Sequence, residues 1–392
     1  HIQLKQPIRW GQDDPLDTFI NETFMLDSTE HGSTRKHKAA PPPTKIKPSE
    51  LQINESTADD LLTQPKLLRK VFQLLTTAHY RTTPDDLRTL LDSPALRVFT
   101  VFDRHQLLGC LLLAEETPFT EPELKTQIWQ GKRRPRGHLL QLCLAQQLNI
   151  KESLDLPFAR VVRIAIHPSW QNQGIGTWLL SQVTDLLAPQ IAVVGASFAS
   201  ELRVNCFWLR QGYQLVRLGM KKDAFTGSYS ALVVKDTSTV GKSLTEAAKQ
   251  RFYRRLDYDK LIHPEIYRDK MTALPEEFPA QSLQTDSNSY SDLNPATSSD
   301  NPNDLNELML FDLNELMLFA QGQRPYPVVA DALYRTSKLI PDFIGNQCWQ
   351  LCIRDQIDIK TAVKITNSAG KKAVIDSIRQ AATAFIQAWR IN

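Results

Sequence analysis

Residues 161–178 read "VVRIAIHPSWQNQGIGTW". The run Val161–Ile166 is short, apolar and rich in β-branched side chains, which predicts a buried strand. The polar turn after it ends in Gly174 and Gly176. From there to Pro189, Ile175, Trp178, Leu179, Val183, Leu186 and Leu187 fall on one helical face. A strand feeding a glycine turn and then a helix presents N–H groups and the positive end of the helix dipole, and both suit a phosphate. Glycines there leave out the side chains that would block it. The turn is no nucleoside-triphosphate loop, since it lacks the Gly-Lys-Ser/Thr ending, nor is it G-x-G-x-x-G. The only Gly-Lys-Ser, at 241–243, has Asp236 where the first glycine should stand and reads as chance. A tight turn packing helix on strand is the other reading of Gly174 and Gly176.

Working outward, 66–92 predicts two helices, the second opening on "TTPDDLRTLL" with its proline and acids. "LRVFTVFD" and "LLGCLLLAEE" flank the polar "RHQ" as a strand hairpin, and a polar insertion follows. "IAVVGASF" predicts another buried strand, and "ELRVNCFWLRQGY" a helix stopped by Gly212. "QLVRLGM" and "SYSALVVKD" predict a second strand pair. Alternation of this kind predicts an α/β layer. Beyond 236 the chain reads as helical. "QTDSNSYSDLNPATSSDNPND" is low in complexity and predicts disorder near 280–303. "DLNELMLF" occurs in tandem at 304–311 and 312–319, and a period of eight fits neither a solenoid unit nor a heptad, so it reads as a local duplication extending one helix.

The 392 residues suggest two or three domains. A net charge of +3 means that any nucleic-acid surface must be local. Five scattered cysteines fit a reducing compartment, hence a cytoplasmic setting. Cys348 and Cys352 lack a second Cys/His pair, so they read as core, and no metal site is predicted. No apolar run reaches membrane-spanning length. Residues 31–50, rich in Pro and Lys, read as a tether. The abrupt opening at His1 reads as part of a longer protein.

Q-x-x-G-x-G after an apolar strand resembles the pyrophosphate loop of the GNAT acetyltransferases, which hold acetyl-CoA. The helix ending "FWLRQGY" at 207–213 resembles that family's closing motif, and the early hairpin stands where its first strands should be. "PIRWGQDDPLDTFI" (7–20), "AHYRTTPDDLR" (78–88), "IWQGKRRPRGHLL" (128–140), "RIAIHPSWQNQGIG" (163–176) and "TGSYSALVV" (226–234) together resemble the bacterial tRNA(Met) cytidine acetyltransferases. The resemblance implies a GNAT fold, a mixed central sheet flanked by helices, over 51–235. It implies the tail of an upstream ATPase/helicase module and a linker over 1–50, and a mainly helical tRNA-binding region over 236–392. It implies transfer of acetyl from acetyl-CoA to N4 of the wobble cytidine of elongator tRNA(Met). ATP would act only through the upstream module, whose core this sequence lacks.

The resemblance assigns Ile164, Ala165 and Ile166 to the acetyl-pantetheine arm. It assigns Gln171, Asn172, Gln173, Gly174, Ile175, Gly176 and Thr177 to the pyrophosphate, and Glu201 and Arg210 to positions near the cofactor. Glu201 is the candidate base, or else a carboxylate satisfying a helix dipole. Trp208 stands where many of these enzymes place an acidic tyrosine, so no general acid carries over. Lys132, Arg133, Arg134 and Arg136, with Trp129 nearby as a stacking platform, predict an RNA contact. His138 and His79 are further candidates toward RNA, and His167 reads as a turn residue. Two rivals stand beside this: a GNAT enzyme acting on a protein or small-molecule amine, and a non-catalytic RNA-binding module.

Overall fold

A computed structural model describes residues 11, 14–25, 47–77, 84–276, 278 and 307–391. The opening stretch up to Trp10, most of the 31–50 tether, His79 and the segment near 280–303 lie outside the described residues.

Helix α1 (Pro15–Phe24) precedes a sheet built from β1 (Leu51–Ser56), β2 (Leu96–Asp103), β3 (Gln106–Glu116), β4 (Phe158–Ile166), β5 (Val193–Ala199), β6 (Gln214–Lys222) and β7 (Tyr229–Asp236). Among the described residues the strand order is β1-β2-β3-β4-β5-β7-β6. Only β4 and β5 run parallel; every other neighbouring pair is antiparallel. The edge strand β1 escaped the sequence reading because half of its side chains are exposed and its apolar alternation is weak.

One face of the sheet is covered by α2 (Ala58–Thr63), α3 (Pro65–Thr77) and α4 (Pro84–Asp92), then by α5 (Pro122–Trp129) and α6 (Leu139–Gln147). The insertion between β3 and β4 is more than a polar excursion: Ile128, Leu140, Leu144, Ala145 and Leu154 are fully buried there. The other face carries α7 (Ile175–Leu187) and α8 (Leu202–Leu209). On α7 the buried stripe includes Leu180, whereas Leu186, expected inside, is exposed.

The long α9 (Thr239–Ile262) begins against the sheet. Ser238 caps it by accepting the Gly241 N–H at 3.0 Å, and a side chain at Gly241 would collide with the Ala192 carbonyl. The Gly-Lys-Ser tripeptide thus marks a close helix approach, with no phosphate loop. Phe252, Tyr253 and Leu256 of α9, with Leu274 and Phe278 beyond α10 (Pro264–Met271), belong to the sheet's own core. A second core joins α11 (Glu307–Ala320), α12 (Tyr326–Ser337), α13 (Gln347–Trp349) with the π turn Gln350–Arg354, α14 (Ile359–Ile365) and α15 (Lys371–Ile391). Cys348 and Cys352 are buried in it as free thiols.

The two cores meet through charge. Asp312, fully buried on α11, is bonded by Arg254 at 2.5 Å and Arg335 at 2.8 Å, and Asp331 by Arg255 at 3.0 Å and Arg335 at 2.8 Å. Arg324, in the α11–α12 turn, donates to the carbonyls of Trp129, Ala145 and Gln146 and to Asn149 Oδ1. Of the first repeat copy, residues 304–306 lie outside the described residues. Eight residues turn a helix by about 80° beyond two full turns, and the second copy places Asp312 and Glu315 in this buried layer.

Glu315 faces Arg324 at 3.7 Å, too far for a hydrogen bond, and Glu315 Oε1 and Arg324 Nε have no hydrogen-bond partner. Burial pushes the Glu315 carboxyl up from 4.5 to about 7 despite the pull of Arg324. The raised folded-state value means that the stability it contributes is complete below about pH 4.5 and is lost as pH rises toward 7. Glu315→Gln should therefore flatten that decline. In urea titrations its unfolding free energy relative to the parent should improve from about pH 4.5 to about pH 7 and level off above, and a pH-independent difference would show that Glu315 is not held neutral.

Candidate active site

The site starts from the way β4 is paired. β4 runs beside β5 only from Phe158 to Val161, opposite Val193–Ala196. Beyond Val161 its pairing continues only with β3, where Cys110 faces Ala165 and Gly109 faces Ile166. The register slips between Leu112 and Leu113, so Val162 is an extra residue on β4, a β-bulge. A bulge increases local twist and re-aims side chains. The strands part: β5 runs on to Ala199 beside β7, while β4 beyond Val161 pairs only with β3, so the Val162–Ile166 backbone has no strand on its β5 side among the described residues. Ala165 packs toward α3 and α4, while Ile164 and Ile166 pack toward α7.

The loop closes onto this opening. Gln171 Nε2 donates to the Ile166 carbonyl at 3.0 Å and ties the loop back to the strand end. His167 is the turn residue that the sequence suggested: its Nδ1 accepts the Ser169 N–H at 3.3 Å, and its own N–H donates to Leu108. Asn172 and Gly174 lie in the left-handed region, at φ 61° and 83°. Gly174 is the N-cap of α7, and no side chain caps the first-turn N–H groups. Gln171, Asn172, Gly174 and Thr177 are exposed and Gln173 is half-buried, whereas Ile175 is buried in the core and can offer only its backbone. Gln173 Oε1 is buried with no hydrogen-bond partner.

The glycines discriminate between the two readings of the turn. A methyl on Gly176 would meet Ile166 Cγ1 at 3.5 Å and Phe207 Cε2 at 3.6 Å, which is ordinary contact. A methyl on Gly174 would meet nothing within 4 Å. Helix-on-strand packing does not require glycine at 176, and at 174 only the backbone conformation does. The surface is open and donor-rich, the arrangement of an anion site at a helix N-terminus.

Glu201 is exposed at the N-cap of α8, just past the carboxyl end of β5, and its side chain makes no capping bond. Arg210 is exposed at the other end of α8, roughly 12 Å along the axis at 1.5 Å per residue. The two therefore address different parts of any long ligand. Trp208 is buried, stacked with Phe198 at 5.9 Å and edge-on to Tyr213 at 4.8 Å, so it is core and lends nothing to proton transfer. Tyr213 is buried too, its hydroxyl 3.2 Å from Thr184 Oγ1, and burial pushes its phenol up to about 12.

Lys132, Arg133, Arg134 and Arg136 are exposed on the loop between α5 and α6. Gln127 and Gln146 brace that loop: Arg133 Nε donates to Gln127 at 3.3 Å, Arg134 Nε to Gln146 at 3.1 Å, and Gln146 Nε2 to the Arg133 carbonyl at 3.0 Å. Trp129 is no free stacking platform. Arg324 lies over its ring at 4.6 Å and Lys151 at 5.3 Å, and its Nε1 donates to Asn149 at 2.6 Å. That tertiary use of Trp129 left no mark in the sequence. His138 sits at the start of α6, ring to ring with Phe119 at 4.5 Å and with Nδ1 2.7 Å from Gln141 Oε1.

Strand order, splayed β4 and uncapped glycine loop define the GNAT acetyltransferase fold, and residues 70–192 match the family model GNAT acetyltransferase 2. Within that class the chain is similar to the tRNA(Met) cytidine acetyltransferase TmcA of several bacteria. That of Nitrosococcus halophilus (strain Nc4) is 34% identical over 295 residues, 74% of this chain and 38% of that protein. That of Vibrio cholerae serotype O1 is 33% identical over 70% of this chain and 38% of its own. That of Yersinia pestis (strain D106004) is 32% identical over 65% and 36%. The chain thus spans well under half the length of these relatives. Among solved structures, the ribosomal-protein-S18-alanine N-acetyltransferase from Escherichia coli aligns with 48% of this chain and 95% of its own, at 12% identity and a TM-score of 0.32.

Gly174→Glu would set a carboxylate and its bulk where the pyrophosphate belongs, while straining the left-handed backbone by about 1–2 kcal/mol. Acetyl-CoA affinity measured by calorimetry should fall at least a hundredfold in a folded variant. Gly176→Ala, sterically tolerated by the protein itself, should keep the unfolding midpoint within error of the parent and still weaken binding. Unchanged affinity in both would remove the loop from the cofactor site.

Proposed function

We propose that this chain transfers acetyl from acetyl-CoA to the N4 amine of the wobble cytidine of elongator tRNA(Met), giving N4-acetylcytidine. The observation that carries the reading is the β4 opening joined to the uncapped α7 loop, in a chain similar over three quarters of its length to tRNA(Met) cytidine acetyltransferases. Residues 51–235 are the acyl-transfer unit in this reading, and the helices after 236 help to hold the tRNA. A cytoplasmic setting follows from such a substrate. In the relatives, whose remaining length lies outside this chain, ATP would act through the upstream module.

When bound, acetyl-CoA supplies an acyl group activated as a thioester. The chain's own residues do the rest. Backbone groups of Ile164, Ala165 and Ile166 orient the arm beside β4, and the N–H groups of Gln171 to Thr177 with the α7 dipole hold the pyrophosphate. Arg210 serves the cofactor at the far end of α8. Cytosine N4 is conjugated to its ring and a weak nucleophile, so positioning contributes heavily. Its proton must leave as the C–N bond forms and the thioester C–S bond breaks: Glu201, a carboxylate at the cleft's rim, is the base this geometry offers, directly or through water, and coenzyme A would depart as its thiol, taking up one proton from that base or from water. Lys132, Arg133, Arg134 and Arg136 hold the RNA backbone, and an anticodon loop makes unstacking of the target base inexpensive.

Nucleoside mass spectrometry of tRNA(Met) incubated with this chain and acetyl-CoA, with and without ATP, tests the reading. N4-acetylcytidine is expected at a low level; its absence, with acetylation of protein or polyamine amines instead, would hand the site to an amine acetyltransferase. Replacing the four basic loop residues by alanine should weaken tRNA binding and flatten its salt dependence by about 0.7–0.9 log–log units per lost phosphate contact. An unchanged slope would reduce the loop to ordinary solvated surface.

A further inference from the structure

The face of the sheet opposite α7 holds a cavity of about 650 Å³. α3 and α4 form one wall and the Arg136–His138 turn the other. The bulge is what opens β4 to it. Val162 and Arg163, consecutive in sequence, both line this cavity, whereas Ile164 and Ile166 turn to the α7 side. A regular strand would have sent Val162 and Arg163 to opposite faces. One short stretch of β4 therefore serves the donor cleft with its backbone and this cavity with two side chains.

The polar lining consists of Arg136, His138, Arg160, Arg163, Asp86 and Glu115. The two strand arginines are held in place. Arg160 Nε donates to Glu116 at 3.0 Å. Glu116 is itself buried, and it accepts the Leu140 and Gln141 N–H groups at 2.9 and 3.1 Å, tying Arg160 to the start of α6. Arg163 donates to Asp86 at 2.5 Å, tying it to α4. Leu90, Leu112 and Val162 supply apolar wall.

We infer that this cavity receives the acceptor as one unstacked pyrimidine nucleotide of an RNA loop, an inference that rests on the transferase reading above. The volume lies within the range of about 300–1,000 Å³ usual for small-ligand sites. Arg160 and Arg163 are paired with Glu116 and Asp86, and Glu115 accepts from Arg97 at 2.8 Å, so the charge left to meet a phosphodiester is that of Arg136 at the mouth, beside His138. The apolar wall suits the face of a base. Carboxylates are the side chains that accept from a cytosine N4 amine, and arginines can donate to its carbonyl and ring nitrogen. Arg136 belongs both to the cavity and to the basic loop, so a strand lying along Lys132–Arg136 leads into it.

Thr89 is exposed on α4 and lines the cavity, so Thr89→Trp would fill it without disturbing a core. The probes are an RNA stem-loop with one unpaired cytidine and the same stem-loop carrying 4-thiouridine there for photo-crosslinking. In the parent, crosslinks should map to 86–96, 136–138 or 160–163. Thr89→Trp should lose at least nine-tenths of them and raise KM for the cytidine stem-loop at least tenfold, with acetyl-CoA affinity unchanged. Arg136→Ala, on an exposed loop, should reduce the same crosslinks several-fold and guards against misfolding of the tryptophan variant. Crosslinks confined to Lys132–Arg134 or to the C-terminal helices, with KM unmoved by Thr89→Trp, would overturn the cavity while leaving the transferase reading intact. A Thr89→Trp block on acetylation of a lysine peptide, with RNA unaffected, would overturn the nucleotide assignment. Absence of acetyl-CoA binding by the parent would overturn the premise itself.

Discussion

Everything at the candidate site depends on β4 leaving β5 after Val161. A parallel pair that zipped to its end would satisfy the strand's hydrogen bonds and leave no room between the sheets' two halves. The bulge at Val162 prevents this by adding one residue against β3, which bends the strand and raises its twist. Among the described residues no strand pairs with the β5 side of the backbone from Val162 to Ile166, which leaves an edge that a ligand could pair with. The same extra residue turns Arg163 to the α4 side. A single register slip thus shapes both the donor cleft and the cavity behind it.

The helical region does more than append a second core. Its link to the sheet is ionic and buried: Asp312 and Asp331 are each shared by two arginines, one from α9 and one from α12. Buried ion pairs add little net stability when complete, but lose much when one partner is removed. They therefore fix how the helices sit more than how strongly they bind. Arg324 carries that placement to the insertion by bonding the carbonyl of Trp129, at the head of the basic loop. The loop's charges and the C-terminal helices are in this way held in one arrangement, as an RNA spanning both would require.

Much of this was legible in the sequence, and for physical reasons. The strands at 96–116, 161–166, 191–198 and 228–236 are apolar runs bounded by polar turns, and short-range pattern is enough to find them. The glycine turn was legible because Gly174 needs its left-handed conformation locally, whatever the rest of the chain does. Edge strand β1 and the packed interior of the insertion were not read: the apolar alternation of β1 is weak, and the apolar run Leu139–Leu148 lies between charged flanks that set the polar reading of the whole insertion.

The site divides in the same way. Sequence alone determined the loop Gln171–Thr177, the basic run Lys132–Arg136 and the strand that precedes the glycine turn, because each depends on neighbours in the chain. Only the tertiary structure decided that β4 bulges at Val162 and that Trp129 is committed to Arg324. Those facts depend on pairing register and on contacts between residues as far apart as 129 and 324. Such contacts form where burial and charge balance across the whole fold, and local periodicity carries no record of them.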